Sequence, residues 1–194
     1  KFLYRCEQIS LPVASADLVS VVNEYSEGCS LSAAHDIEFI SLARVLERVP
    51  HNKTVAMADD LFDGLNVLGR DLIFCGWAAP HNDFTFLGEA LVSIVLSAGD
   101  SPYVLGTTEI VNESRKKEES ESSRRVHTRS YRIDCGDVFV VDPMLTHWAF
   151  PATPCDNSML VLLQYRVAFK TEQDKIKLLE KFPPAVGLWS DGFG

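Results

Sequence analysis

Several common signatures are missing from this 194-residue sequence, and each absence narrows what the chain does. Its five cysteines, Cys6, Cys29, Cys75, Cys135 and Cys155, form no C-x-x-C pair. An odd, scattered set argues against a disulfide scaffold or a cysteine-based zinc knuckle. It fits reduced, mostly structural thiols in a cytosol-like compartment, so the expected location is cytoplasmic. No apolar run approaches the ~20 residues of a membrane-spanning helix; the run 90–99 falls well short. There is no Gly-rich phosphate loop, no G-x-S-x-G elbow and no internal repeat. The most telling absence is of cations: residues 71–112 contain no Lys or Arg, and neither do residues 133–165.

What is present suits a folded globular chain, with 46% hydrophobic and 23% charged residues. The 18 basic and 27 acidic residues give a net charge of −9. That surface disfavours an extended nucleic-acid footprint or an anionic membrane. The charge is uneven, however. Residues 113–132 hold seven basic and four acidic residues, +3, leaving 11 and 23, or −12, for the remainder. An acidic body thus carries one basic segment, which suits an anionic substrate or partner. Within it, residues 113–125 contain no apolar side chain and read as a mobile insert.

Residues 1–70 are expected to be mainly helical. Ser15 is a candidate N-cap for a first helix carrying Leu18, Val19 and Val22, with Gly28 as its stop. A second helix carries Ile37, Ile40, Val45, Leu46 and Val49 and ends at Pro50. A third spans 59–68, with Gly69 as its cap. From Leu72 the pattern changes to short apolar runs at 72–77, 91–97, 103–110, 126–133, 138–141, 147–150 and 159–169, punctuated by Gly, Pro, Asp and Asn. Such spacing predicts a sandwich or barrel of antiparallel strands. A closing amphipathic helix is expected at 175–182, stopped by Pro183-Pro184. The chain reads as one domain: helical support at 1–70, a barrel at 71–170 with the insert 113–125, and a terminal helix and tail at 171–194.

The chemistry concentrates in His81-Asn82-Asp83, between two expected strands, and in His147, which follows Gly136-Asp137, an apolar strand and Asp142-Pro143. Residues i and i+2 of an extended chain point the same way. His81 and Asp83 can therefore share one face of a metal, with a second imidazole supplied by a distant strand. Two His and one carboxylate on one face of Fe(II) leave the other face open for a co-substrate and O₂.

On these residues, the stretch 76–169 resembles the double-stranded β-helix of the Fe(II)/2-oxoglutarate-dependent dioxygenases. His81-x-Asp83, the strand 91–97, Gly136-Asp137 before 138–141, and His147 at the next strand carry the resemblance. More distantly it is similar to the cupins, whose first motif wants H-x-H followed by Glu; here Asp83 replaces the second His, although Glu89 follows. The resemblance implies a mainly β fold, a jelly-roll or cupin-like barrel buttressed by α-helices. It implies an oxygenase that hydroxylates or demethylates a substrate, with Fe(II) held by His81, Asp83 and His147 and 2-oxoglutarate as co-substrate. It also implies an Arg or Lys, usually on the last barrel strand, gripping the far carboxylate of 2-oxoglutarate.

The frequent Arg-x-Ser arrangement is missing, since Asp156 and Asn157 precede Ser158. With the barrel stretches empty of cations, Arg166 is the leading anchor, and Arg70, Arg129 and Arg132 are the remaining candidates. A guanidinium matches a carboxylate bidentately. Tyr103 and Thr107 are expected to add hydroxyl contacts. Trp77 and Trp148 are candidate pocket walls, and Phe84 and Phe86 candidate mouth residues. His35, His51 and His127 read as structural or exposed. Two rivals stand beside the oxygenase: a cupin-type metalloenzyme in which Glu89 matters and 2-oxoglutarate does not, and a non-catalytic β-barrel binding module. The primary substrate is a small molecule or a side chain.

Overall fold

A computed structural model describes residues 3–6, 20, 37–48, 53–83, 88–97, 102–112, 124–153 and 160–182. Two antiparallel sheets dominate it. In chain order the elements are β1 (Leu3–Cys6), β2 (Ile37–Ser41), α1 (Leu42–Arg48), α2 (Lys53–Leu61), β3 (Asn66–Cys75), β4 (Ala78–His81), β5 (Glu89–Ser97), β6 (Tyr103–Asn112), β7 (Arg124–Ile133), β8 (Val138–Val141), β9 (His147–Pro151), β10 (Leu160–Ala168) and α3 (Glu172–Lys181). The larger sheet runs β1-β8-β5-β10-β3-β2 and the smaller β4-β9-β6-β7. From β3 onward, consecutive strands alternate between sheets except at β5–β8, where β6 and β7 pair as a hairpin. That winding is a double-stranded β-helix, as the sequence resemblance implies.

Strands β5, β8 and β10 of the larger sheet are largely apolar on both faces because each face is covered. On one face, Val92, Ile94, Val138, Val140, Leu163 and Tyr165 pack with Val45, Val55, Phe62, Leu178 and Phe182 from the helical side. On the other, Ile73, Leu91, Phe139, Leu160 and Leu162 meet Tyr103, Leu105 and Ala149 of the smaller sheet. A strand covered on both sides loses the polar alternation of a half-exposed one. This explains the uninterrupted burial of β8. Helix α3 starts at a capping box: Asp174 N–H donates to Thr171 Oγ1 at 3.2 Å, and Thr171 N–H donates to Asp174 Oδ2 at 3.0 Å.

The expectation of a helical first third needs correction. Residues 3–6 and 37–41 are strands, and β3 begins at Asn66 inside the expected third helix. Ile37 and Ile40 fit a helical step. A run this short fits a strand equally well, and backbone pairing of Ile37–Ser41 with β3 decides the matter. The helix placed at 59–68 is instead α2, ending at Leu61. The residue that turns the chain is Gly64, at φ 78°, while Gly69 lies within β3 opposite Arg166. Apart from Ser20, which is helical, the expected first helix from Ser15 to its stop at Gly28 lies outside the described residues. So do residues 113–123 of the insert; Arg124 and Arg125 extend β7. Among the described residues, no helix is long and apolar enough to cross a membrane.

Candidate metal centre

The topology brings the two distant motifs together. His81 ends β4, His147 begins β9, and the two are register partners in the smaller sheet. Their rings lie 4.4 Å apart between centroids. Asp83 follows β4 by two residues, and its N–H donates to Pro143 O at 2.9 Å, pinning it to the turn that leads into β9. That turn is built by Asp142, whose Oδ1 accepts from Met144 N–H at 2.9 Å while its carbonyl accepts from Leu145 N–H at 3.0 Å. His81, Asp83 and His147 each offer a ligand atom, all within 4.8 Å of one another.

The hydrogen bonds around the rings decide which nitrogens are offered. His81 Nδ1 donates to Ala79 O at 2.6 Å, and His147 Nδ1 donates to Leu145 O at 2.8 Å. A carbonyl only accepts, so each Nδ1 carries a proton, and Nε2 is the nitrogen through which the neutral ring offers a lone pair. Both Nε2 atoms face Asp83: His81 Nε2 is 3.9 Å from Oδ1 and His147 Nε2 is 3.5 Å from Oδ2. These spacings exceed a hydrogen bond. Ligands at about 2.1 Å from one ion and about 90° apart would stand about 3.0 Å from each other, so a modest closure of the side chains seats a cation. Burial holds His147 below the ordinary imidazole range. The Leu145 carbonyl opposes that shift, His81 adds to it, and Asp83 opposes it. His147 is thus a neutral ligand at neutral pH, and its contact with Asp83 is not an ion pair. Two imidazole nitrogens with outer-shell carbonyl partners, plus one carboxylate, fit a non-haem Fe(II) site.

The triad opens on a cavity between the sheets whose walls are mostly apolar, among them Leu91, Leu105, Phe139, Leu160 and Leu162. Two polar side chains line it from the larger sheet, Ser93 on β5 and Gln164 on β10. They are register partners, and Gln164 Nε2 donates to Ser93 Oγ at 3.1 Å. Neither residue stands out in the sequence by a motif. The available signal was a lone polar residue inside each of two apolar runs, Ala90–Leu96 and Leu160–Tyr165.

The other expected site residues are distributed differently. Arg166 shares the Gln164 face of β10 but does not line the cavity. Its side chain is 48% exposed, and its Nε lies 3.4 Å from Oε2 of Glu89, which is 7% exposed. Glu89 is not part of the metal cluster, so the four-ligand cupin set is not assembled among the described residues. Tyr103 donates its hydroxyl proton to the carbonyls of Gly76 at 3.0 Å and Cys75 at 3.4 Å. Thr107 donates to Thr146 O at 3.1 Å, which also accepts Thr108 N–H at 3.0 Å. Both hydroxyls therefore brace strands in this structure, and Thr107 braces the residue immediately before His147.

Arg70 pairs with Asp59, and Arg132 lies 3.6 Å from Asp134. Arg129 sits in one cross-strand row with Thr107, His147 and His81. Trp77 is exposed. The Trp148 indole lies over Gly106 of β6, and Trp148 is among the residues that line the cavity beside His147. Phe84, Phe86, His35 and His51 lie outside the described residues. His127, on β7, is the register partner of Glu109 on β6.

Fold and site together define the class: a double-stranded β-helix with a His-Asp-His group that could hold a metal ion. Among solved structures, the comparison of folds rests on SnoK. The non-haem α-ketoglutarate-dependent carbocyclase SnoK from nogalamycin biosynthesis superposes with a TM-score of 0.52 at 12% identity, covering 87% of this chain and 79% of its own. The epimerase SnoN of the same biosynthesis gives 0.48 at 11%, covering 86% and 78%. AviO1 from Streptomyces viridochromogenes Tue57 gives 0.47 at 14%, covering 88% and 90%. No protein-family model matches the sequence, and no curated protein matches it. The chain thus has the fold of the non-haem 2-oxoglutarate-dependent oxygenases.

Proposed function

We propose that the chain is an Fe(II)- and 2-oxoglutarate-dependent oxygenase that hydroxylates or demethylates a small-molecule or side-chain substrate. The observation that carries this reading is the pair of imidazoles with Nδ1 bound to a backbone carbonyl and Nε2 turned toward Asp83. In this reading His81, Asp83 and His147 hold the metal. With its keto-acid co-substrate, the bound metal supplies oxidative decarboxylation coupled to oxidation of a substrate C–H bond.

The chain's own residues hold and shield. The carbonyls of Ala79 and Leu145 fix the ring orientations, and Thr107 and the Asp142 turn fix the start of β9. Neutral His147 has no proton to expel on binding metal. The walls of Leu105, Phe139, Leu160 and Leu162 exclude water from the reacting centre. Arg129 supports an anionic primary substrate. It lies two strands from His147 in the same row, on the order of 10 Å away, and pairs with no carboxylate among the described residues. The unpaired thiols of Cys75 and Cys135 suit a reducing, cytoplasmic setting.

The test is anaerobic addition of Fe(II) and 2-oxoglutarate. A weak visible charge-transfer band is expected, and it should vanish in His147→Ala with the far-UV circular dichroism unchanged. Metal binding without the band would favour a metalloenzyme that does not use 2-oxoglutarate. Absence of metal binding would refute both enzyme readings. Succinate release against a panel of anionic candidates then identifies the substrate.

A further inference from the structure

The cavity contains a recognition point that the metal does not use. We infer that Gln164 and Ser93 read the far end of the keto acid through neutral hydrogen-bond donors, so that any 2-oxo acid ending in an acceptor is bound, charged or not. This rests on the function proposed above and concerns which co-substrates it admits.

Three observations lead there. First, Gln164 and Ser93 are the polar side chains that line the cavity from the larger sheet, whereas His81, Asp83 and His147 line it from the smaller sheet and its adjoining loop. A ligand held at the metal and extending across the cavity meets them. Second, their mutual hydrogen bond leaves two hydrogens unspent. With Gln164 Nε2 donating to Ser93 Oγ, one amide hydrogen and the serine hydroxyl hydrogen remain. If the amide is turned over, Ser93 donates to Oε1 and both amide hydrogens remain, so the conclusion does not depend on the amide's orientation. Two adjacent donors lining a mostly apolar cavity call for an acceptor oxygen, because leaving them unmet is unfavourable.

Third, no cation lines this cavity among the described residues. Arg166 lies two residues past Gln164, faces solvent with half its side chain, and has its Nε beside Glu89. Glu89 is itself buried, and its Oε2 has no hydrogen-bond partner, so drawing Arg166 inward would strip a buried carboxylate of its nearest charge.

Calorimetric titration of the Mn(II)-loaded protein tests this with three 2-oxo acids of matched shape. These are 2-oxoglutarate, the methyl ketone 2,5-dioxohexanoate, and the alkyl analogue 5-methyl-2-oxohexanoate. The carboxylate and ketone ends should bind within about tenfold of each other, and the alkyl end weaker by on the order of tenfold. Gln164→Leu and Ser93→Ala should each narrow the gap between polar and alkyl ends, with Mn(II) affinity unchanged as evidence of folding.

A carboxylate preference of about 100-fold over the ketone, abolished by Arg166→Ala or Arg129→Ala, overturns the inference, because a guanidinium would then be the anchor. So does an unchanged ligand series in Gln164→Leu and Ser93→Ala, which would make the pair a structural hydrogen bond only. If Mn(II) binds and none of the three acids does, the oxygenase reading itself fails and takes the inference with it.

Discussion

Gly106 is the position where adding one methyl group tests the site's construction most sharply. It lies on β6 opposite Trp148, the residue after His147. A Cβ built there would fall well inside the contact distance of Cε2, Cζ2 and Nε1 of the Trp148 ring. At an ordinary extended strand position, Gly→Ala stabilises by about 0.4–1 kcal/mol, because the unfolded chain loses freedom. Here the indole must move, and overpacking of this kind costs about 1–3 kcal/mol. The expected net effect of Gly106→Ala is therefore a loss of about 1–2 kcal/mol, read as a lower urea midpoint at unchanged m-value. Displacing Trp148 also disturbs the start of β9, so metal affinity should fall with stability. The decisive comparison is a double-mutant cycle. In a Trp148→Ala background the clash is gone, and Gly106→Ala should become neutral or stabilising. If Gly106→Ala is as stable as the parent, or equally harmful with and without Trp148, the packing described for β6 and β9 is wrong.

Three further outcomes follow from the geometry. Thr107→Val removes the hydroxyl that braces Thr146 O. It should lower stability by about 1 kcal/mol and metal affinity by up to about tenfold, measured by denaturation and Mn(II) titration. Tyr165→Phe should cost about 1.5–3 kcal/mol, because Tyr165 donates to Asp59 Oδ1 at 2.7 Å; its stacking on Phe62 survives, and metal affinity should not change, since Tyr165 faces the helices. Burial pushes the Cys75 thiol up from 9.0 to about 12. The unfolded chain therefore releases this proton first. The resulting stability is complete below pH 9.0 and is lost as pH rises toward about 12. Urea midpoints across that window should fall more steeply for the parent than for Cys75→Ala.

Much of the barrel was legible because its apolar or β-branched runs are short and end at turn residues. The run expected at 138–141 is β8 itself, and those at 91–97, 103–110 and 147–150 fall within β5, β6 and β9. What escaped notice was short or carried a residue that argues against a strand. Ala78–His81 is four residues long and contains Pro80, which lacks a donor for a central ladder. It is tolerated because β4 is the edge of the smaller sheet, with a register shift between Ala78 and His81. Leu3–Cys6 is also four residues long and takes its conformation from β8, a partner more than 130 residues away, which local pattern cannot reveal. The triad was legible for the opposite reason: His81 and Asp83 are close in sequence, and His147 follows turn signals that survive without tertiary context.

An absence of cations narrows where an anchor is sought without giving the anchor's chemistry. Empty of Lys and Arg from 71 to 112 and from 133 to 165, the barrel left Arg166 as the cation on the last strand. The structure puts Arg166 on the expected face of β10. Position along the strand then matters more than identity. Gln164, two residues earlier, is where that face meets the cavity, whereas Arg166 lies beyond it beside buried Glu89. The amide and hydroxyl inferred above to meet the keto acid carry no charge, so counting cations alone does not reveal them. In an interior of low polarity, a neutral donor pair needs no counter-charge while empty, whereas a lone guanidinium would. A barrel that excludes cations from its strands is therefore consistent with a cavity that recognises oxygen acceptors without relying on their charge.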